Sequence, residues 1–296
     1  MQKHTDRLKH VTLVHNTTTD PEHRYRDKAA RFLNDAGIQT DSVPVAGREC
    51  PEFSPELSQS DMVIVMGGDG TFLRTAQFFS QHQVPLVGVN TGTLGFLTRI
   101  EADKLAIFLK LLVMGEYELE ERMMLSVKDS SWSESRTQLA LNDVVIKNGS
   151  PSQMCTLRVY INDDLLAIYD ADGIVLSTPT GSTAYTLSSG GPVISPEVEA
   201  MSITPICPHS LSAKPIVIPA DKRLRVESMR RNKNIICAVD GQDMGPLQPG
   251  EILTIERAPL PLKMVNFRQE DDDFYHLLKK KLHWAMNPRW KTEASH

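Results

Sequence analysis

No cysteine pairing pattern, no long apolar run and no surplus of basic charge mark this chain of 296 residues. Its four cysteines, Cys50, Cys155, Cys207 and Cys237, stand far apart without a CxxC spacing or clustered histidines, so neither a disulfide framework nor a zinc site is indicated. They read as small apolar residues. No apolar stretch reaches the roughly 18 residues that cross a bilayer, and MQKHTDRLKH lacks the apolar core of a secretory signal. These two absences predict a cytoplasmic protein with no membrane partner. Lys and Arg total 32 against 37 Asp and Glu, a formal charge of −5, so no basic tail for nucleic acid is present. Internal repeats and low-complexity tracts are missing as well. What remains is an ordinary globular composition, 41% hydrophobic and 23% charged, with length for about two domains, each able to bury a core.

The first 115 residues or so alternate strand and helix. Val11 to Val14 reads as a strand; Asp20 as an N-cap with Pro21 at the first helical position and Gly37 as the stop. Ile38 to Val43 is a weaker strand, and Met62 to Met66 (MVIVM) an unbroken apolar run suited to a parallel strand covered on both faces. Helices are predicted from about Thr71 to His82 and Asp103 to Met114, around a strand at Val84 to Val89. This rhythm predicts a doubly wound α/β domain. Beyond Tyr117 strands follow strands: 139 to 146, 156 to 161, 165 to 169, 173 to 177, 216 to 218, 224 to 228, 235 to 239 and 252 to 255, with turn residues at Asn162-Asp163-Asp164 and Pro249-Gly250. The expected division is residues 1–118 as the α/β domain and 119–264 as a β-rich domain. A closing helix, Phe274 to Trp284, carries three lysines that read as a solvated face.

Chemistry concentrates in a few loops. Gly67-Gly68-Asp69-Gly70-Thr71 lies between a buried strand and a helix, where bare amides and the helix N-terminus form a cradle for phosphate. It is neither GxGxxG nor the GxxxxGK[ST] loop. Asp69 is anomalous there, because a carboxylate beside phosphate oxygens is repelled unless it holds a metal or takes a proton from an attacking hydroxyl. The plainer alternative is a helix cap. Thr178 to Tyr185 and Ser188 to Pro192 are dense in hydroxyls and amides, suiting a polar uncharged ligand such as ribose or a base, with Tyr185 placed to stack; a Ser/Thr-rich surface turn reads equally well. Asn142-Asp143 sits in an apolar frame and needs partners if buried, although a hairpin turn explains it more simply. Asp172 and Asp240-Gly241-Gln242 share that ambiguity with turn formers. His209 is a lone loop histidine with no paired nucleophile.

In combination these motifs resemble the NAD kinase family. GGDGT at 67–71, NTGTLGFL at 90–97, Asn142-Asp143, DGIVLSTPTGSTAY at 172–185, SSGGP at 188–192, PHSLSAKP at 208–215 and Asp240-Gly241-Gln242 occur in family order, and KKLHW resembles the family's closing helix. GGDGT alone is shared with lipid kinases; the Thr-Pro-Thr-Gly-Ser-Thr-Ala-Tyr segment is far more specific. The resemblance implies a Rossmann-like N-terminal α/β domain on which a tail, 265–296, packs back, and a β-rich domain that binds NAD. It implies transfer of the terminal phosphate of ATP, in some members polyphosphate, to the 2'-hydroxyl of the adenosine ribose of NAD, with a divalent metal, usually Mg²⁺, and Asp69 as the catalytic base. Gly67, Gly68, Gly70, Thr71 and Arg74 would belong to the nucleotide site. Asn142, Asp143, Asp170, Asp172, Thr180, Thr183, Ala184, Tyr185, Thr186, Leu187, Ser188, Asp240 and Gln242 would serve NAD. Members form homodimers or homotetramers. Three positions depart from the pattern: Asp143 where Glu is common, Asp170 where a basic residue is common, and Lys214 for Arg. A lipid kinase and a non-catalytic NAD(P)-binding regulator are the competing readings; the first lacks an amphipathic basic segment for a membrane surface here. Asp69→Asn is expected to leave folding intact and to lower turnover by about 10² to 10⁴.

Overall fold

The computed structural model describes residues 7–47, 51–129, 137–150, 153–229, 234–267 and 274–282. The chain divides into two units, residues 1–120 with 263–296 and residues 121–262.

The first unit follows the apolar runs. β1 (His10–Asn16), α1 (Arg24–Asp35), β2 (Gln39–Val45), β3 (Met62–Gly67), α2 (Asp69–Phe79), β4 (Leu86–Asn90), β5 (Ile100–Glu101), α3 (Leu105–Val113) and β6 (Glu118–Arg122) run in chain order. β3 is buried throughout, as an apolar run under helices on both faces requires. The sheet order is β2-β1-β3-β4, continued by β19 (Leu262–Asn266) and β6, with β5 beside β4; the β1 to β4 ladders are parallel. Its core joins Leu13, Ile64, Met66 and Val87 to Leu33 of α1 and Leu109 of α3. α1 begins later than its caps suggest. Pro21 lies outside it, His23 in a left-handed conformation precedes Arg24, and Asp20 acts from a distance, its Oδ2 accepting the Tyr25 and Arg26 amides at 3.1 and 3.3 Å. The last described helix, α5 (Phe274–Leu282), buries Leu277 and Leu278; residues 283 and 284 of its predicted span lie outside the described residues.

The second unit is β-rich and, among its described residues, has one short α-helix, α4 (Tyr185–Ser188). Its strands are β7 (Leu125–Asp129), β8 (Gln138–Ala140), β9 (Asp143–Asn148), β10 (Cys155–Ile161), β11 (Asp164–Ala171), β12 (Gly173–Ser177), β13 (Ala200–Ile206), β14 (Ile216–Pro219), β15 (Leu224–Ser228), β16 (Ile235–Val239), β17 (Gln242–Leu247) and β18 (Ile252–Arg257). They form two six-stranded sheets, β11-β10-β15-β18-β7-β8 and β14-β13-β12-β9-β16-β17. Inward residues of both, such as Leu157, Val226 and Leu253 from one and Val144, Ile174 and Ile203 from the other, make one core. Cys155 and Cys237 are buried in it, whereas Cys207 is exposed at φ 45°, so it does not serve as an apolar core residue; Cys50 lies outside the described residues.

Candidate functional site

In the first unit the sheet order itself marks a place for a ligand. The chain leaves β1 toward β2 on one side and returns across it to β3 on the other, so the connections reverse between β1 and β3. Loops leaving the carboxyl ends of such neighbours diverge and open a crevice. The loop after β3 is the glycine-rich one. Gly67 must lack a side chain, since a Cβ there would meet Thr71 Oγ1 at 2.8 Å and Asn16 Cβ at 3.2 Å. Asn16, at the end of β1, donates from Nδ2 to Thr71 Oγ1 at 2.9 Å and ties the two loops together. α2 starts at Asp69, two residues before the predicted start, behind an extended Gly68, and no side chain caps it. Gly68 has open space where a Cβ would be. Arg74, one turn into α2, donates to the Gly47 carbonyl at 2.9 Å.

Asp69 does not cap its helix. Its carboxylate reaches across to the loop after β4, where Oδ2 accepts the Phe96 amide at 2.7 Å and Oδ1 accepts the amides of Leu97 and Thr98 and the Thr98 hydroxyl at 3.1, 3.0 and 3.1 Å. That loop is built for it. Asn90 Nδ2 donates to Thr93 O and Thr98 Oγ1 at 2.6 and 3.0 Å, and a Cβ on Gly95 would lie 1.8 Å from Asp69 Oδ1. The partners of Asp69 were thus inside NTGTLGFL and its next residue, a stretch to which the sequence alone assigned no contact.

In the second unit the hairpin turn between β16 and β17, with Asp240 at φ 49° and Gly241 at φ 75°, performs a similar task. Asp240 Oδ2 accepts the Leu141 amide at 2.8 Å, and Oδ1 accepts those of Asn142 and Asp143 at 2.8 and 3.2 Å. The Asn142 carbonyl takes the Thr178 amide at 2.9 Å and the Ser177 hydroxyl at 3.2 Å. Asp143 is buried and accepts the Tyr185 amide; burial first, and the Asp240 carboxylate second, push its carboxyl up to about 7. Asn142, Asp143, Tyr185 and Asp240 are therefore gathered together, and Gln242 begins β17 just past the turn.

The hydroxyl-rich loop differs from its expectation. Thr178 Oγ1 binds the Leu141 carbonyl and receives the Gly181 amide, Ser182 joins Pro179 O to Ile194, and Thr183 Oγ1 donates to Thr180 O at 3.1 Å. Thr180 Oγ1 is buried and accepts from Arg122 Nη1 at 3.3 Å. These groups serve the loop's own backbone, which is what a tight buried turn demands. Thr186 is fully buried, Ala184 and Leu187 are half-buried, and Tyr185 and Ser188 reach the surface. Tyr185 and Asp172 share a cavity of about 320 Å³ with Lys147, Asn148, Ser150 and Ile206. Lys147 and Asn148 escaped the sequence reading, although the antiparallel pairing of Lys147 with Gly173 puts the former beside Asp172's neighbour. Asp170 is not among those lining residues; it stands in β11 with its carboxylate on the Thr156 hydroxyl. His209 is exposed, its amide on Asp170 O. Among the described residues no three of His, Cys, Asp and Glu converge as a metal cage.

The C-terminal domain model of ATP-NAD kinases matches residues 141–267 and the N-terminal domain model matches residues 22–117. The chain belongs to the NAD kinase family. It is 38% identical over 267 residues to an NAD kinase of Moorella thermoacetica, covering 88% of this chain and 85% of that protein. With an NAD kinase of Clostridium perfringens it shares 34% identity over 282 residues, 93% and 99% of the two chains. An NAD kinase from Archaeoglobus fulgidus solved with ATP superposes at a TM-score of 0.69 and 27% identity over 88% of this chain and 94% of that one. Yeast NADH kinase solved with NADH matches the fold at a TM-score of 0.84 and 23% identity, covering 96% and 90%. Family membership makes the chain a phosphotransferase.

Proposed function

We propose that this family member moves the terminal phosphoryl group of ATP to the 2'-hydroxyl of the adenosine ribose of NAD, giving NADP. Asp69 is the base. The observation that carries the assignment is the asymmetry of its carboxylate: Oδ1 accepts three hydrogen bonds and Oδ2 one, so Oδ2 is held in place with lone-pair capacity left for a hydroxyl proton. As the ribose oxygen bonds to phosphorus, the bond from that phosphorus to the β,γ-bridging oxygen breaks, ADP leaves with the electron pair and the proton passes to Asp69. The transition state of such transfers is loose, so positioning and charge neutralisation dominate. The uncapped start of α2 and the open Gly68 offer amides to phosphate oxygens. Asn142, Asp143, Asp172 and Tyr185 are assigned to NAD.

A divalent ion belongs to this chemistry, supplying charge neutralisation, yet the described side chains do not form a resident site for one. Mg²⁺ is commonly held by substrate phosphates and water. A cytoplasmic, homo-oligomeric enzyme is part of the reading, supported by the family and by the absence, among the described residues, of a helix long and apolar enough to cross a membrane. The test is direct: protein, NAD, ATP and Mg²⁺ are mixed and an NADP-specific dehydrogenase reports the product. Polyphosphate in place of ATP tests the donor. A lipid kinase would consume ATP only with a diacylglycerol-like acceptor, and a regulator would bind NAD without consuming ATP.

A further inference from the structure

The three-lysine face of α5 is not uniformly solvated. Lys279 and Lys280 are exposed, and Lys280 Nζ pairs with Glu101 Oε1 at 2.9 Å, which pins α5 beside the end of β5. Lys281 is different: half-buried, its Nζ lies 4.4 Å from the centroid of the Phe96 ring. Phe96 is the residue whose amide holds Asp69 Oδ2, the oxygen assigned above to the hydroxyl proton. We propose that Lys281 is a positioning residue for Asp69, clamping Phe96 by a cation–π contact so that the Phe96 amide stays on Oδ2.

Several observations converge on this. Other anchors act on the loop's polar groups: Asn90 holds Thr93 O and Thr98 Oγ1, and Arg99 Nε donates to the Phe96 carbonyl at 3.4 Å, while the Phe96 ring is half-buried. A desolvated ammonium over an aromatic face is a strong form of this contact. Lys281 and Asp69 also sense one another electrostatically, since burial lowers the lysine pKa and the Asp69 charge acts in the opposite direction. Leu277 and Leu278, buried on the same helix, fix its face.

The inference rests on Asp69 being the base, and the experiment separates the two. Lys281→Met, Lys281→Gln and Lys281→Arg are assayed for NADP formation beside Asp69→Asn, with thermal melts of each. Lys281→Met is expected to lower kcat about tenfold, with KM for NAD and for ATP within about twofold, and Lys281→Arg to recover kcat to within about threefold, since guanidinium stacks on the ring as ammonium does. Lys281→Gln shows the same loss as methionine and stands in for it if that variant does not fold. Undiminished kcat in both uncharged variants, a rise in KM for ATP with kcat kept, or equal loss in the arginine variant overturns the proposal. If Asp69→Asn alone is impaired, only the role of Lys281 falls; if Asp69→Asn turns over like the parent chain, both assignments fall.

Discussion

Asp69 in the first unit and Asp240 in the second use the same device. Each carboxylate gathers three consecutive backbone amides from a distant loop of its own unit, Phe96 to Thr98 in one case and Leu141 to Asp143 in the other. Such charge-assisted bonds are each worth about 1.5–3 kcal/mol, so both aspartates organise the loops they bind. They differ in electrical surroundings. Asp69 has the ammonium of Lys281 within electrostatic reach, while Asp240 has the buried carboxyl of Asp143. At Asp143, burial first and the Asp240 carboxylate second favour the protonated carboxyl. One arrangement suits chemistry, the other suits holding a loop.

The sharpest way to break this contrast is Asp69→Asn. Turnover is expected to fall by about 10² to 10⁴ or more, the usual worth of a general base. The fold is expected to survive, at a lower stability. The new amide puts an NH₂ where one carboxylate oxygen accepted donors, so at least one amide of 96–98 loses its acceptor, at about 1–3 kcal/mol. NADP assays and a melt lowered by several degrees check both halves. Full turnover would move Asp69 into the same class as Asp240.

Next in size is a pair of glycines. A Cβ on Gly181 would meet the Asn142 carbonyl oxygen at 2.0 Å and its carbon at 2.4 Å, backbone atoms that cannot yield. Gly181→Ala is therefore expected to cost about 3 kcal/mol or more in stability. On Gly95 the obstacle is the Asp69 side chain, at 1.8 Å from Oδ1 and 2.4 Å from Cγ. Gly95→Ala is expected to displace that carboxylate and lower turnover about 100-fold with a smaller loss of stability. Urea unfolding beside kcat measurements distinguishes them; the reverse pattern would mean that the loop of the second unit, not of the first, governs the chemistry.

The alternating plan was legible because burial on both faces writes itself as run length: Met62 to Met66 is apolar and fully buried. Strand β13 was not, although all seven residues are buried, because Ser202, Thr204 and Pro205 mimic a loop. β5, β6, β7, β17 and β19 were missed too, and the single strand expected over 139 to 146 is divided between β8 and β9, which lie in different sheets. At the site, the residues could be named from motifs, but not what their atoms touch. Asp69 meets residues 27 to 29 positions away, a relation set by tertiary structure. The hydroxyls of Thr178, Ser182 and Thr183 advertised a ligand, whereas a backbone turning inside the protein had first claim on them. Lysine 281 looked like its two exposed neighbours because its aromatic partner lies far back in the chain.

A pH dependence follows from Asp143. Its carboxyl is raised from 3.8 to about 7, so between those values the folded state binds a proton that the unfolded state has released. Stability contributed by this group is thus present at low pH, falls as pH rises toward 7 and levels off above, by at most about 1.4 kcal/mol per pH unit. Melts from pH 5 to 8 should show that decline, and Asp143→Asn should flatten it. An unchanged slope would show that Asp143 does not hold its proton through burial as described.

Asp240→Asn is the mildest break. It takes one like charge from Asp143 and leaves one of three amides, those of residues 141–143, facing an NH₂, so loss of loop order and relief of repulsion offset each other in stability. What does not cancel is position. Asn142 and Asp143 shift, and KM for NAD is expected to rise about tenfold, near 1.4 kcal/mol, while kcat changes by less than about threefold. Because Asp240 contributes geometry and not a proton acceptor, a fall in kcat as large as that of Asp69→Asn would contradict the division between the two aspartates.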